Sequence, residues 1–174
     1  MVMVMVITAL HMREHQHGLG SVSLVISAHT FGMYGFSIIS GRLADRLGRG
    51  PVIITGAATL LLACLAAPLS PNVLPLSISL FLLGLGWNFC FVGGSTLLAD
   101  QLSPSERARI QGFNDLLVGL ASAIASVTSG VIFAALGFTI MALAAAAFSL
   151  APLLATIAWT KAAHGRKAQA LPYH

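Results

Sequence analysis

Charged residues are scarce in this chain, and their scarcity excludes most classes of water-soluble protein. Only 8% of the 174 residues are Asp, Glu, Lys or Arg, whereas a soluble globular domain carries roughly 25%. Hydrophobic residues make up 57% of the chain, and the mean hydropathy is +0.89. So few polar side chains cannot cover a surface that faces water. We therefore expect the lipid bilayer to be the chain's environment and partner.

Cysteine is nearly absent, and both copies stand inside apolar stretches. Cys64 and Cys90 are therefore expected to be small packing residues, not a disulfide or a metal site. The formal net charge of +4 does not predict nucleic-acid binding, because the basic residues are few and lie between apolar stretches. Ser/His/Asp sets, paired carboxylates and phosphate-binding loops are also missing from the sequence. We expect no enzymatic activity and no cofactor.

Long apolar runs predict an all-α fold, a polytopic bundle of transmembrane helices. Each run is close to the ~20 residues that a helix with a rise of ~1.5 Å per residue needs to cross ~30 Å of hydrocarbon. The predicted spans are 19–40, 51–69, 74–98, 110–133 and 138–160. Pro51 suits the first turn of the second span, and Ser103 to Glu106 form a capping box before the fourth. Residues 161–174 are expected to be a disordered basic tail.

Lys and Arg are distributed unevenly between the two sides of this arrangement. With alternating spans, only Arg13 of the nine basic residues falls on one side. The other eight are Arg42, Arg46, Arg49, Arg107, Arg109, Lys161, Arg166 and Lys167. Positive residues concentrate on the cytoplasmic side, so the charged loops and the C-terminus are expected there, in a bacterial inner (plasma) membrane. His11, His15 and His17 fall on the outer side, where a solvated loop is favoured over a metal cluster.

A charged decapeptide separates the first two spans. Residues 41–50 read Gly-Arg-Leu-Ala-Asp-Arg-Leu-Gly-Arg-Gly. This segment resembles the loop signature of the major facilitator superfamily of secondary transporters. The resemblance covers residues 1–160, here taken as one half-domain, and implies the C-terminal half of a twelve-span transporter. Gly50 departs from the family pattern, which often ends in a basic residue.

The resemblance implies that this loop latches the cytoplasmic side during alternating access. The residues concerned are Gly41, Asp45, Arg46, Gly48 and Arg49. The glycines would permit tight turns, Asp45 would accept hydrogen bonds from a neighbouring helix start, and the arginines would pair with acidic groups or lipid phosphates. A basic loop that only sets topology is the alternative.

The N-terminal segment has two interpretations. Met1 to Leu10 is apolar but too short to span, and it lacks the basic leader of a signal peptide. It is either a short interfacial segment or the second half of a helix whose first half is missing, which the resemblance favours. A missing N-terminal half or a second copy of the chain is accordingly an expected partner.

A short pattern recurs within the chain. Ser40-Gly41 and Leu47-Gly48 reappear as Ser129-Gly130 and Leu136-Gly137, at an offset of 89 residues. The first copy stands at the inner side and the second at the outer side. This is typical of an inverted repeat of three helices, as in such transporters.

Polar residues inside the spans are candidates for a substrate or proton pathway. They are His29, Tyr34, Trp87, Asn88 and Asp115. His29 either carries a coupling proton or is a neutral packing histidine bonded to a backbone carbonyl. Asp115 is expected to pair with a loop arginine such as Arg109 and not to relay protons. Serine and glycine stripes on the first and fourth spans either pack helices or line the pathway.

The function expected from this resemblance is secondary active transport of an unidentified small molecule, with coupling to H+. A non-transporting membrane subunit, or a truncated fragment that only associates with other helices, is the alternative. Nothing in the sequence specifies the substrate or the direction of transport.

Overall fold

The protein is an all-α bundle, as predicted, and the described residues contain no strand. The structure is a computed structural model that describes the backbone of residues 1–169 and the side chains of residues 1–162. The helices are α1 (Val2–Glu14), α2 (Leu19–Tyr34), α3 (Ser37–Leu47), α4 (Arg49–Ala66), α5 (Val73–Asp100) and α6 (Pro104–Gln169). A 3-10 turn, Ala67–Leu69, follows α4.

Four helical stretches within the described residues are long and apolar enough to cross a membrane. They are Leu19–Leu47, Arg49–Leu69, Val73–Asp100 and Pro104–Ala162. The last is 59 residues long and contains both the fourth and the fifth predicted spans. Helix α1 has 13 residues, fewer than a spanning helix needs.

Helix α6 is broken at Gly137, where the backbone adopts φ 80° and ψ 179°. We call residues 104–136 its first segment and residues 138–169 its second segment. The break stands between the two spans that the sequence predicts, so each segment of α6 holds one of them. The second segment continues to Gln169, through the beginning of the predicted tail, and residues 170–174 lie outside the described part.

The charged signature is helical and not a loop, which corrects the sequence interpretation. Helix α3 runs through Leu47, and α4 begins at Arg49, so a single residue joins the two helices. That residue is Gly48, with φ 90° and ψ 160°, a conformation open essentially to glycine alone. A single residue in this conformation can reverse the direction of the chain. No longer loop is needed, so residues 41–47 can continue the helix that begins at Ser37.

Helix α5 lies at the centre, between α2 and α4, while α1 and α4 also pack against α6. The largest fully buried apolar side chains include Ile7, Met12, Leu76, Leu80, Leu83 and Met141. Helices α2 and α5 pack very closely at two glycines, because each glycine faces the backbone of the opposite helix. A Cβ on Gly84 would stand 2.2 Å from the carbonyl oxygen of His29, and one on Gly32 would stand 2.4 Å from that of Phe81.

Contacts between distant segments define two ends of the bundle. At one end, Arg49 bonds Asp100 at the close of α5, and Gly50 lies against Thr160 of α6. At the other end, the His17 ring bonds the Pro71 carbonyl oxygen, and the His11 ring stacks on Phe138. The alternation of spans predicts the same grouping of helix ends.

Candidate functional site

Arg49 connects three helices at the end that carries the signature. Its Nη1 lies 3.1 Å from Asp45 Oδ1 and donates to the Ala44 carbonyl oxygen at 2.8 Å. Its Nε donates to Asp100 Oδ2 at 2.9 Å. One guanidinium therefore holds the last turn of α3 and the last residue of α5 to the start of α4. We call Asp45, Arg49 and Asp100 the arginine cluster.

The arginine cluster is open to solvent. The side chains are 24% exposed for Arg49, 70% for Asp45 and 46% for Asp100. Ion pairs in such surroundings contribute about 0–1 kcal/mol, because water and salt screen them. The cluster can therefore form and break at little cost. Sequence reasoning did not single out Asp100, although an acidic residue at the close of an apolar span was a usable signal.

The other signature residues behave differently from one another. Asp45 pairs with Arg49 across the turn at Gly48, and not with helix-start N–H groups. Arg46 is exposed and forms no ion pair with another described residue. Gly41 lies inside α3, with no neighbour that a Cβ would meet within 4 Å. Only Gly48 makes the expected tight turn.

Gly50, the departure from the family pattern, is a point of close contact. A Cβ there would stand 2.6 Å from Thr160 Cγ2 and 3.4 Å from Trp159 Cζ3. Position 50 is buried against α6, so a side chain there would displace the side chain of Thr160. This contact was not foreseen from the sequence.

Asn88 fastens α5 to the interruption between α2 and α3. Its Nδ2 donates to the Met33 carbonyl oxygen at 2.6 Å and to Ser37 Oγ at 2.9 Å. The Ser40 hydroxyl donates to Asn88 Oδ1. Asn88 is 1% exposed, so its own end of each bond is shielded from water, while Met33 and Ser37 are half-buried. The structure thus places this candidate pathway residue in a buried polar clasp around the turn at Gly35 and Phe36.

His29 faces α5 and is fully buried. Its Nδ1 lies 2.9 Å from the Leu80 carbonyl oxygen, and because a carbonyl can only accept, Nδ1 carries the hydrogen. Its Nε2 is buried and has no hydrogen-bond partner among the described residues. The bond to Leu80 is the one expected of a neutral packing histidine. The unbonded Nε2 leaves a role as a proton carrier open.

Trp87 and Tyr34 form an aromatic group with Phe91. The Trp87 ring stacks on Phe91 with centroids 4.7 Å apart, and Tyr34 meets it edge-on at 6.1 Å. Trp87 lines a cavity of about 540 Å³ between the start of α1, α5 and both segments of α6. Tyr34 lines an open groove along α2 with Ser27 and Thr30. The structure therefore brings these two candidates together but directs them to different spaces.

Asp115 does not pair with Arg109, which corrects that expectation. Its Oδ1 accepts from Gln111 Nε2 at 3.3 Å and from Asn114 Nδ2 at 3.5 Å. Residues four apart share a helix face, whereas six residues place Arg109 on a different face. Gln111 Nε2 also lies 3.3 Å from Ser95 Oγ, so Asp115 is connected to α5 through this amide.

The histidines at the opposite end connect neighbouring segments. His11 stacks on Phe138 at 4.0 Å with the rings nearly parallel, and its other ring neighbour is His15 at 4.4 Å. Burial, and then the charge of His15, lower the pKa of His11, and Glu14 opposes this shift. Helix α1 thereby contacts the first residue after the break at Gly137.

The internal repeat has a structural counterpart. Gly48 and Gly137 are the two glycines with positive φ in the described chain, and their φ values are 90° and 80°. Ser40 and Ser129 are both fully buried, and each hydroxyl oxygen lies close to a carbonyl oxygen one turn earlier, at 3.0 and 2.8 Å. Equivalent residues therefore adopt equivalent local structure at opposite ends of the bundle.

Comparison with known proteins agrees with this architecture. The family model described as Major Facilitator Superfamily matches residues 1–172. The uncharacterized MFS-type transporter YdeG of Bacillus subtilis (strain 168) is 40% identical over 163 residues, 92% of this chain and 38% of its own length. YddS of the same strain, also an uncharacterized MFS-type transporter, is 39% identical over 161 residues, 91% of this chain and 37% of its own length.

A third relative is named for a substrate. The riboflavin transporter RfnT of Brucella anthropi is 30% identical over 130 residues, 75% of this chain and 33% of its own length. The chain thus spans less than two fifths of the length of each of these relatives. The family match covers nearly all of the chain, and the helical bundle, the signature and the repeat agree with it. The chain belongs to the Major Facilitator Superfamily.

Proposed function

We propose that this chain forms one half of a secondary active transporter, which moves a small molecule by alternating access and is coupled to H+. The observation that carries the proposal is the exposed polar face of α2. Ser23, Ser27, Thr30 and Tyr34 are all exposed along this spanning helix. Polar groups in contact with lipid are costly, so this face should meet protein or a water-filled pathway. A second half, or a second copy, placed there would enclose the pathway.

The arginine cluster supports the conformational part of the proposal. A latch must hold one state and release it during each cycle, so its free energy has to be small. The solvent-exposed pairs of Arg49 with Asp45 and Asp100 meet this requirement. They also join three helices, which a loop that only sets topology would not need. The latch residues are placed on the cytoplasmic side by the positive-inside rule.

His29 is the residue that we assign to proton coupling. Its buried Nε2 lacks a partner among the described residues, while Nδ1 is fixed by Leu80. A ring held at one nitrogen and free at the other can accept a proton without losing its position. Asp115 lies nearer the charged end and is held by Gln111, so we assign it a positioning role in α6.

The test begins with the genomic sequence upstream of the Met1 codon. An open frame there defines the full protein to purify, and otherwise the chain itself is reconstituted. Uptake of radiolabelled riboflavin and of ethidium into proteoliposomes is then measured with and without a pH gradient. We expect saturable flux that the gradient accelerates, a loss of up to about fivefold in Asp45→Ala, which an interaction of about 1 kcal/mol allows, and loss of the acceleration alone in His29→Ala.

Leu62→Val provides the matched control, because Leu62 is an exposed apolar residue of α4 away from these groups. It should retain the flux of the unmodified protein. Absence of saturable flux for both compounds would favour the alternative, a membrane subunit that does not transport. Unchanged flux in Asp45→Ala and His29→Ala would remove the assigned roles of these two residues.

A further inference from the structure

The end of the bundle opposite the arginine cluster carries two histidines in direct contact. The rings of His11 and His15 meet edge-on, with their centroids 4.4 Å apart. The His11 ring also stacks on Phe138 of α6, at a centroid distance of 4.0 Å and an interplanar angle of 5°. One imidazole of α1 therefore contacts both a second titratable ring and an apolar ring of another helix. The distribution of arginines assigns this end to the external side of the membrane.

His15 and Met12 hold the last turn of α1 in place. The His15 Nδ1 lies 2.9 Å from the His11 carbonyl oxygen, and because a carbonyl only accepts, Nδ1 carries the hydrogen. His15 can therefore bind a proton at Nε2 without losing this bond. Met12 is fully buried, so the same turn is packed into the core. The two imidazoles are thus kept at contact distance whether or not His15 is protonated.

Phe138 is the first residue after the break in α6. The break is at Gly137, whose φ of 80° and ψ of 179° separate the two segments of that helix. Helical backbone angles are interrupted there, so the orientation of the second segment depends on the contacts of the residues beside the joint. Phe138 is buried, and the stack of His11 on it joins α1 to this joint. A change in that contact can therefore alter the angle between the two segments.

A proton on His11 opposes the closed contact. Burial lowers the pKa of His11, the charges of His15 and His17 lower it as well, and Glu14 opposes this shift. Arg13 adds a further exposed positive charge on the same turn. When His11 and His15 are both protonated, two like charges stand on rings whose centroids are 4.4 Å apart. Glu14 alone among these neighbours favours an imidazolium at His11.

The elements packed around the stack supply no compensating charge. Residues 50–99, which include nearly all of α4 and α5, contain no Asp, Glu, Lys, Arg or His. Residues 116–160 of α6, on both sides of Phe138, contain none either, nor do residues 18–28 of α2. The Phe138 ring can attract a cation over its face, but a single ring cannot offset the repulsion between two imidazoliums. We therefore expect double protonation to separate His11 from Phe138.

We propose that His11 and His15 form a pH-sensitive switch: the stack on Phe138 closes the external end of the bundle when both rings are neutral, and it opens when the external medium is acidic. Because the pKa of His11 is lowered in the closed contact, the closed state binds protons more weakly than the open state, and acid favours the open state. The closed state is fully populated above the ordinary histidine pKa of about 6.5, and it is lost as the pH falls below that value. This inference goes beyond the proposed function, since it concerns control by external pH and not the coupling proton.

Spin labels at Leu10 and Thr139 test the switch, because both positions are exposed and stand on either side of the contact. Cys64 and Cys90 are replaced by alanine, and Leu10→Cys with Thr139→Cys carries the nitroxides. Dipolar broadening of the spectrum is measured in lipid nanodiscs between pH 8 and pH 5, without any gradient. We expect strong broadening at about pH 8 and its loss at about pH 5, with a midpoint below about pH 6.5.

Three histidine variants assign the effect to individual rings. His11→Phe keeps an aromatic ring on Phe138 but removes the titratable group, so its broadening should be the same at both pH values. His15→Gln removes the neighbouring charge and should reduce the ratio of open to closed protein at pH 5 severalfold. His17→Gln is the matched control, because His17 bonds the Pro71 carbonyl oxygen and is not part of the stack. It should respond to pH as the unmodified histidines do.

Broadening that does not change between pH 8 and pH 5 would overturn the proposal, as would loss of broadening at pH 5 in His11→Phe. The outcome can be separated from that of the flux assay, because the distance measurement requires no transport. A pH-dependent contact in a protein without saturable flux would keep the switch and reject the proposed transport. Saturable flux with a contact that ignores pH would keep transport and reject the switch.

Discussion

At the residue scale, the most informative side chain is Asn88. An asparagine in an apolar helix has two donors and an acceptor that need partners, and its burial makes each missing bond costly. Here the partners come from the turn between α2 and α3 and from Ser40. The sequence shows a polar residue inside a span but not which backbone bends toward it. A transport pathway and a buried clasp are therefore equally compatible with the sequence at this position.

Ser40 and Asn88 should be energetically coupled, because a hydrogen bond joins their side chains. In a double-mutant cycle of Ser40→Ala and Asn88→Ala, we expect a coupling free energy of about 0.5–3 kcal/mol, because the residues share one buried network. Thermal unfolding in detergent provides the measurement. Ser79→Ala is the control partner, since its hydroxyl bonds Ala63 on α4 and it lies nine residues from Asn88 on α5. Additive effects in the Ser40 cycle would contradict the clasp.

At the element scale, the sequence predicted the existence of the spanning helices better than their ends. Apolar length is a strong signal, so every predicted span lies within a helical stretch that could cross a membrane. Helix ends depend on single residues: α6 begins at Pro104, and one bond of the predicted capping box forms there, from the Ser103 N–H to the Glu106 side chain. The Ser103 hydroxyl donates to the same carboxylate instead of accepting from the Glu106 N–H. The sequence analysis did not predict that α3 extends to Leu47, because it assigned the charged residues of 41–50 to a loop.

Glycine turns should tolerate no side chain. Alanine at Gly48 or Gly137 would force an L-residue into positive φ, and we expect a cost of about 1–3 kcal/mol at each position. Gly130→Ala is the control, since this glycine is helical and its Cβ would meet nothing within 4 Å. Thermal unfolding in detergent should show lower midpoints for the first two variants and an equal or higher one for the control. Equal midpoints for all three would contradict the assigned turns.

At the scale of the whole molecule, contacts define the two ends, but only the distribution of charge assigns them to the sides of a membrane. The exposed arginines Arg42, Arg46, Arg107 and Arg109 lie at the end of the bundle that holds the arginine cluster. Arg13 stands at the opposite end, close to the histidines. The contacts alone cannot show which end faces the cytoplasm, because a bundle inserted the other way round would have identical contacts. The positive-inside rule provides it.

Labelling of single cysteines tests that assignment. In a background with Cys64 and Cys90 replaced by alanine, Arg46→Cys and Arg107→Cys should resist a membrane-impermeant maleimide in intact cells and react after permeabilisation. Arg13→Cys should react in both conditions. The readout is a mass shift on a gel. Labelling of Arg46→Cys and Arg107→Cys from opposite faces would contradict the whole arrangement of spans.

The contact between Gly50 and Thr160 has a consequence for evolutionary change. Because the methyl group of Thr160 fills the space of the absent side chain, the two positions cannot vary independently. A related sequence with a basic residue at position 50 would need a smaller residue at position 160, a different Thr160 rotamer, or a shift of the second segment of α6. Sequences related to this one should therefore show correlated exchange at these two sites, more than a hundred residues apart.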